Sequence, residues 1–402
     1  MNAVLVTDAH NRIALAISRS LGRRGVEVGC VSDKRYAHSF FSKYCDYRFL
    51  CPSPSKNPSS FIKALLRIVK SGKFQVLFPV EQETLLQVLK HKEKFTPFVQ
   101  VPFVDFETLA KAANKSFLMR FASKLGIPHP KTYFIDGSEK LKEVSKEVDY
   151  PVVIKPSMRT GAWGVAYAYT PTDLITKYTT LQRALGEYPI IQEYVFGIGY
   201  GVEALFNRRS QLRAVVVHKR LREYPITGGQ STLRKTVLDP ETQSLGIKLL
   251  KALKWYGVAM VEFRRDINTG VPVLMEINPR FWGSLALAMA AGVDFPSLLY
   301  EMAIDGDVKP VLDYRVGVKA RWFLPGDLIV LVETLISGRK KVRDLLSFLK
   351  FYERSMVYDE MALDDLNAIP GLLLQLIGQF VEPKGLQKYV LRSSTANGVV
   401  RE

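Results

Sequence analysis

Glu276, Asn278 and Arg280 stand in the run Pro272-Val273-Leu274-Met275-Glu276-Ile277-Asn278-Pro279-Arg280-Phe281-Trp282-Gly283, which opens apolar and then alternates polar with non-polar residues from Glu276 to Arg280. Read as a strand, that alternation puts a carboxylate, an amide oxygen and a guanidinium on one face. Hard cations such as Mg²⁺ take oxygens of this kind, usually one or two protein carboxylates together with substrate phosphates. Fourteen residues before Glu276, Glu262 centres a second strand-like run, Ala259-Met260-Val261-Glu262-Phe263. The polar stretch Asp266-Ile267-Asn268-Thr269-Gly270 between them reads as a hairpin turn, so the two glutamates are expected side by side across a ladder. A plainer role also suits them, as strand charges balanced by Arg264, Arg265 or Arg280.

A second set of residues suits phosphate. Tyr150-Pro151-Val152-Val153-Ile154-Lys155-Pro156 reads as a strand that delivers a lysine at its end, followed by the loop Ser157 to Val165 with glycines at 161 and 164. Such a loop lets backbone fold close over an anion while the lysine supplies a point charge. It has no Walker pattern, and a glycine hairpin turn beside a surface lysine is the alternative. The segment from His218 to Arg234 carries three arginines, Arg220, Arg222 and Arg234, around Gly228-Gly229. Arginine forks suit carboxylates and phosphates, so Arg220 and Arg234 are candidates for an acid substrate or a leaving phosphate; a solvated basic loop is the competing reading.

The elements that must hold these groups follow from periodicity. Ala3 to Thr7 reads as a buried strand, Arg12 to Gly25 as a helix with one apolar stripe, and Val26 to Ser32 as a second strand, which opens a parallel βαβ unit. Its first turn, Thr7-Asp8-Ala9-His10-Asn11, lacks the glycines of a dinucleotide site, which excludes NAD. Helices are expected over Ser60 to Ser71 and Glu83 to Lys94, with a strand over Val76 to Val80. These make a small α/β domain ending near Pro102. A further helix runs from about Lys115 to Leu125, stopped by Gly126-Ile127-Pro128. Pro189 to Val195 and Tyr200 to Phe206 read as strands joined through Phe196-Gly197-Ile198-Gly199.

Taken in order, Lys115, the Val-Ile-Lys155-Pro strand, the 159–165 glycine loop, Gln192-Glu193-Tyr194-Val195, Glu262 and Glu276-Ile-Asn278-Pro-Arg280 resemble the ATP-grasp superfamily of ATP-dependent ligases, in particular its carbamoyl-phosphate-synthase-like carboligases. The likeness runs from about Ala113 to Gly306. It implies an α/β (α+β ATP-grasp) fold, with an N-terminal parallel α/β domain over 1–110 and a two-subdomain ATP-grasp module over 111–310; beyond the likeness, a mainly helical, basic, amphipathic C-terminal extension is expected over 311–402. It also implies a reaction in which ATP activates a carboxylate as an acyl phosphate and an amine then displaces phosphate, giving a carbon–nitrogen ligase that releases ADP.

By the same resemblance, Lys115 and Lys155 contact ATP phosphates and the loop from Gly161 through Gly164 to Val165 closes over them. Gln192 faces the adenine amino group, and the backbone at Glu193, Tyr194 and Val195 meets the adenine edge. Glu262, Glu276 and Asn278 hold Mg²⁺, with Mn²⁺ as a substitute, and Arg280 stabilises charge on the transferring phosphoryl group. Relatives often carry a ribose-binding acid where this chain has Gly199. Glu203 lies roughly 13 Å further along the same strand face, at about 3.3 Å per residue, and is retained as a candidate facing the phosphate or substrate side.

Composition narrows the partners. The chain of 402 residues is 47% hydrophobic and 24% charged, enough for a substantial core. No uncharged apolar run reaches 18 residues and no basic leader precedes the first strand, so a cytoplasmic protein is expected. Cys30, Cys45 and Cys51 are too few and too irregular for a disulfide framework or a zinc site. The net charge of +17 favours anionic ligands without locating a site. No nucleic-acid-binding signature appears, and the expected partners are a small carboxylate and an amine. From Val311 onward the likeness fades into apolar and basic segments, among them Arg339 to Arg343. These are expected to pack on the core or to form a homodimer, with an anionic membrane surface as the alternative. A kinase on the same fold and an ATP-binding protein without activity are the competing functions.

Overall fold

The computed structural model describes residues 2–157, 164–224, 229–336, 348, 353 and 355–381. Its strands are β1 (Ala3–Val6), β2 (Glu27–Ser32), β3 (Tyr47–Leu50), β4 (Val76–Phe78), β5 (Thr132–Phe134), β6 (Val152–Lys155), β7 (Ala166–Ala168), β8 (Ile190–Glu193), β9 (Gly197–Phe206), β10 (Leu212–Tyr224), β11 (Gln230–Thr236), β12 (Gly257–Asp266), β13 (Pro272–Asn278), β14 (Lys319–Arg321) and β15 (Met356–Tyr358). They form three sheets: a parallel one in the order β3-β2-β1-β4, a small antiparallel one, β5-β8-β6-β7, and a large one, β13-β12-β9-β10-β11-β14-β15.

The parallel N-terminal sheet follows from near-continuous apolar strands that are buried on both faces. Its first helix is Arg12–Gly22, three residues shorter than the periodicity suggests. Asn11 caps it by accepting from the Ile13 amide, and Gly25 takes a left-handed φ of 77° in the turn that leads into β2. The helix expected over Glu83 to Lys94 is two, Gln82–Lys90 and Lys92–Phe95, broken at His91. Strand β3 was not anticipated, because Tyr47-Arg48-Phe49-Leu50 is a half-exposed edge with a charge inside it.

One continuous apolar core joins the N-terminal sheet to the large sheet, whereas the small sheet has a core of its own around Ile154, Leu174, Tyr178 and Ile191. Phe281 and Trp282, which follow Arg280, are fully buried at that junction. Phe281 meets Phe78 at 5.6 Å and Phe103 at 6.4 Å between ring centroids, and Trp282 meets Phe295 edge-on at 5.0 Å. The end of β13 is thereby locked against the N-terminal domain, which fixes where Arg280 stands.

The chain beyond Val311 does more than cover this body. β14 pairs with β11, and β15 pairs with β14, so the segment completes the large sheet. Arg222 donates to Asp327 at 2.6 Å, and Arg19 to Asp365 at 2.8 Å. Helix Ala368–Val381 lies on the turn His38–Phe41, where Gln375 accepts from the His38 amide at 3.1 Å and donates to the His10 carbonyl at 3.0 Å. Packing on the core is therefore what the described part of this segment does. The basic run Arg339 to Arg343 lies outside the described residues. No described helix is long and apolar enough to cross a membrane.

Candidate functional site

The hairpin expected around the two glutamates forms. β12 and β13 are antiparallel neighbours, and Glu262 stands directly opposite Glu276. Asp266 accepts from the amides of Asn268 and Thr269, both at 2.8 Å, and Gly270 supplies the positive φ that the turn between them needs. Asn278 donates its amide to Glu262 at 2.8 Å, and Arg280 donates to Asn278 at 3.2 Å. Carboxylate, amide and guanidinium therefore form one chain of contacts on one face.

This face walls a cavity of about 470 Å³. Lys155 reaches it from the end of β6, and Lys115 from the start of helix Lys115–Lys124, which Asn114 caps by accepting from the Phe117 amide. The Lys115 amide also donates to the Ser157 carbonyl at 2.8 Å, which ties the two lysine-bearing elements together. Lys115 pairs with Glu276 at 3.3 Å. Burial lowers the Lys155 ammonium to about 8, and the nearby positive charge of Lys115 adds to that effect. Burial would raise Glu276, but Lys115 and Lys155 outweigh it and hold this carboxylate below its ordinary value. Glu262 moves the other way: burial raises it, Glu276 adds to this, and Arg220 only partly compensates.

Two glycines on β9, beside Glu262 in the same sheet, shape the neighbouring part of this wall. A β-carbon at Gly199 would fall 2.7 Å from the Arg220 side chain, and one at Gly201 would fall 2.4 Å from His218. Because both positions are bare, Arg220 and His218 lie across β9 toward the glutamates. Arg220 reaches Glu262 at 2.5 Å and Glu223 at 3.0 Å. Burial would lower this guanidinium, yet the two carboxylates hold it above its ordinary value. Gly199 thus replaces an expected acid with room for a cation.

Residues 187–323 match the model of a family described as ATP-grasp in the biosynthetic pathway with Ter operon. The carbamoyl phosphate synthase large chain of Methanobrevibacter smithii is 26% identical over 242 residues, covering 54% of this chain and 23% of that one. A second such large chain, from Methanothermobacter thermautotrophicus, is 26% identical over 249 residues, covering 56% and 24%. This chain therefore spans about a quarter of the length of these two relatives. Among solved structures, biotin carboxylase from Campylobacter jejuni superposes with a TM-score of 0.67 at 18% identity, covering 79% of this chain and 74% of that one. An L-amino acid ligase from Bacillus licheniformis gives 0.59 at 17% identity, covering 77% and 78%. The chain has the ATP-grasp fold.

Val165, Glu193, Tyr194 and Val195 line the cavity together with Lys115 and Lys155. Gly164, with φ of 75°, ends the loop; Gly161 and its neighbours lie outside the described residues. Tyr194 is held edge-on between Tyr167 and Phe196. The Glu193 amide donates to the Lys131 carbonyl at 3.0 Å, which ties the end of β8 to the chain entering β5.

Three expected ligand contacts stand away from the cavity wall. Gln192 alternates with Glu193 along β8, is 1% exposed, and donates its amide to Thr132 at 2.9 Å, turned from the place where it was expected to meet adenine. Glu203 is fully buried; it accepts from Ser284 at 2.6 Å and lies 3.0 Å from His218 Nδ1, behind the wall and not on it. Arg234 is also fully buried on the same face as Arg220, pairs with Asp359 and donates to the Gly283 carbonyl at 3.4 Å, so it is committed within the protein.

The N-terminal domain contributes a wall that the sequence reading did not foresee. Asn11, Arg12, Glu81, Gln82 and Glu83 line the cavity. Asp8 organises them, accepting from the amides of Val80 and Glu81 and from the Thr84 hydroxyl. Asn11 donates to Glu81 at 3.0 Å; burial works to raise Glu81, but hydrogen bonds from His10 and Asn11 bring it down to about 2. The turn that excluded NAD is used to build this edge. The signal available in the sequence was its run of capping residues before the helix at Arg12.

Proposed function

We propose that this chain is an ATP-dependent carbon–nitrogen ligase that activates a carboxylate as its acyl phosphate and passes the acyl group to an amine, releasing ADP and phosphate. The observation that carries this reading is the Glu262–Glu276 pair, set directly across one ladder and framed by Lys115, Lys155, Arg220 and Arg280 in a single cavity. Such a balance of buried cations and paired carboxylates suits a polyanionic nucleotide with its counter-ion.

Glu262, Glu276 and Asn278 fit a divalent ion. Their oxygens are hard donors, the two carboxylates stand directly across one ladder with Asn278 hydrogen-bonded to Glu262, and Glu262 is held above its ordinary value by burial and by Glu276, a strain that a cation relieves. When bound, that ion supplies neutralising charge to the triphosphate. Lys155 and Lys115 hold phosphate oxygens by charge-assisted hydrogen bonds. Arg280, fixed by Asn278, by the Phe281 carbonyl at 2.8 Å and by the buried rings that follow it, stabilises charge on the phosphoryl group in flight. Arg220, whose planar fork suits a carboxylate, orients the acid substrate. An oxygen of that acid attacks phosphorus, ADP leaves, and the carbonyl becomes electrophilic. Names among the similar proteins, an L-amino acid ligase and carbamoyl phosphate synthases, agree with this class of chemistry.

The test is to incubate the protein with ATP, Mg²⁺ and pools of amino acids and small acids, with hydroxylamine present. A trapped hydroxamate, and passage of ¹⁸O from a labelled acid into the released phosphate, are expected. A stable phosphorylated alcohol with neither signal would make the protein a kinase.

A further inference from the structure

His218 occupies a particular place in the large sheet. Reading across one row, Glu276 pairs with Glu262, Glu262 with Gly201, Gly201 with His218, and His218 with Thr236. The imidazole therefore shares a face with the two carboxylates, and the bare glycine between them leaves its ring lying over β9 toward the cavity, which His218 lines. Its Nδ1 stands 3.0 Å from Glu203 Oε1, and the same oxygen accepts from the Ser284 hydroxyl at 2.6 Å. Glu203 thus stands beside Nδ1 as a counter-charge for the ring, and Nε2 is the nitrogen left to face the cavity that His218 lines.

An amine must shed a proton as it attacks an acyl phosphate, and the groups assigned above to phosphate and metal are unsuited to taking it. The lysines and arginines are cations, while Glu262 and Glu276 are committed to the ion. We propose that His218 is the proton acceptor for the attacking amine, with Glu203 and Ser284 as its positioning residues; this rests on the ligase reading. The neutral amine nitrogen forms a bond to the acyl carbon, the carbon–oxygen bond to phosphate breaks, and phosphate departs with that electron pair. The proton leaving nitrogen passes to His218 Nε2, and Glu203 balances the resulting imidazolium. The other charges around the ring are Glu262 one strand beyond Gly201, Arg220 two residues along β10, and Arg234 on β11.

The test uses three nucleophiles of rising basicity, hydroxylamine, glycinamide and methylamine, with ATP, Mg²⁺ and the acid that supports phosphate release. In H218N, product from glycinamide and methylamine should fall about 10²- to 10⁴-fold, the range for losing a general base. Hydroxamate formation and ¹⁸O transfer to phosphate should stay within a few-fold, because hydroxylamine needs little help and the phosphorylation step precedes the proton transfer. E203Q should show the same selective loss, to a smaller degree. Equal loss with all three nucleophiles, or none, overturns the assignment while leaving the ligase reading intact. No hydroxamate from the unaltered protein removes the ligase reading itself. Should H218N fail to fold, H218Q and E203Q are read in the same three assays: selective loss with glycinamide and methylamine supports the role, and equal loss with all three nucleophiles, or none, overturns it.

Discussion

Gly201 lies directly across the ladder from His218, and a β-carbon there would sit 2.4 Å from the imidazole Cε1. The contact is with a buried imidazole ring packed beside Glu203, not with the free end of a flexible chain, so it cannot be relieved cheaply. Gly201→Ala should therefore displace His218 and lower amine ligation by at least tenfold. ATP affinity, measured by calorimetry, should change little, because the lysines stand on other elements.

Lys155 gives the nucleotide site a pH signature. Its ammonium titrates near 8 in the free protein, lowered by burial and then by Lys115. Polyanion binding favours the charged form, so ATP binding should take up a fraction of a proton above about pH 8 and none well below it. Calorimetry in buffers of different ionisation enthalpy reads this uptake directly. Lys155→Ala should lose it, together with about tenfold or more in affinity. The folding linkage has its own sign. Between about 8 and the ordinary 10.5, the unfolded chain keeps a proton that the folded one has shed, so Lys155 makes stability rise with pH in that window. A Lys155→Met protein should lack that increment in denaturant titrations.

The carboxylate pair predicts a metal requirement. Glu276→Gln keeps the shape of the side chain but removes the charge that balances both Lys115 and a divalent ion. Asn278→Ala removes the donor that fixes Glu262. Each should abolish ATP turnover at saturating Mg²⁺ while circular dichroism and thermal unfolding remain near those of the parent. Turnover surviving either change would reduce these residues to ordinary strand polar groups.

A fourth expectation concerns the C-terminal segment. Asp365 is fully buried and accepts from Arg19 at 2.8 Å, from the Ser42 hydroxyl at 2.7 Å and from the Lys43 amide at 2.9 Å. Asp365→Ala leaves the Arg19 charge buried without its carboxylate, which costs about 3–5 kcal/mol. Urea unfolding should show that loss. The exposed neighbour Asp364, paired with Arg23 at the surface, should cost well under half as much when replaced by Ala.

The sequence by itself determined the parts that local physics specifies. Alternation placed Glu276, Asn278 and Arg280 on one face, and a polar turn of the right length set Glu262 opposite Glu276, because hairpin register follows from the turn. Buried apolar strands separated by an amphipathic helix gave the parallel N-terminal sheet, and a lysine at a strand end gave the phosphate-side cation. What the tertiary structure decided are contacts between residues far apart in the chain. Strand pleating turned Gln192 inward to Thr132 and left Glu193 on the cavity. Glu203 could be seen as an acid on a strand, but its role behind His218 depends on Ser284, 81 residues later. Gly199 and Gly201 read as lost side chains until β10 was laid beside them. The edge built by Asn11, Arg12 and Glu81 depends on how the N-terminal sheet docks on Phe281, and that docking is a product of side-chain packing between distant elements, which no local periodicity encodes.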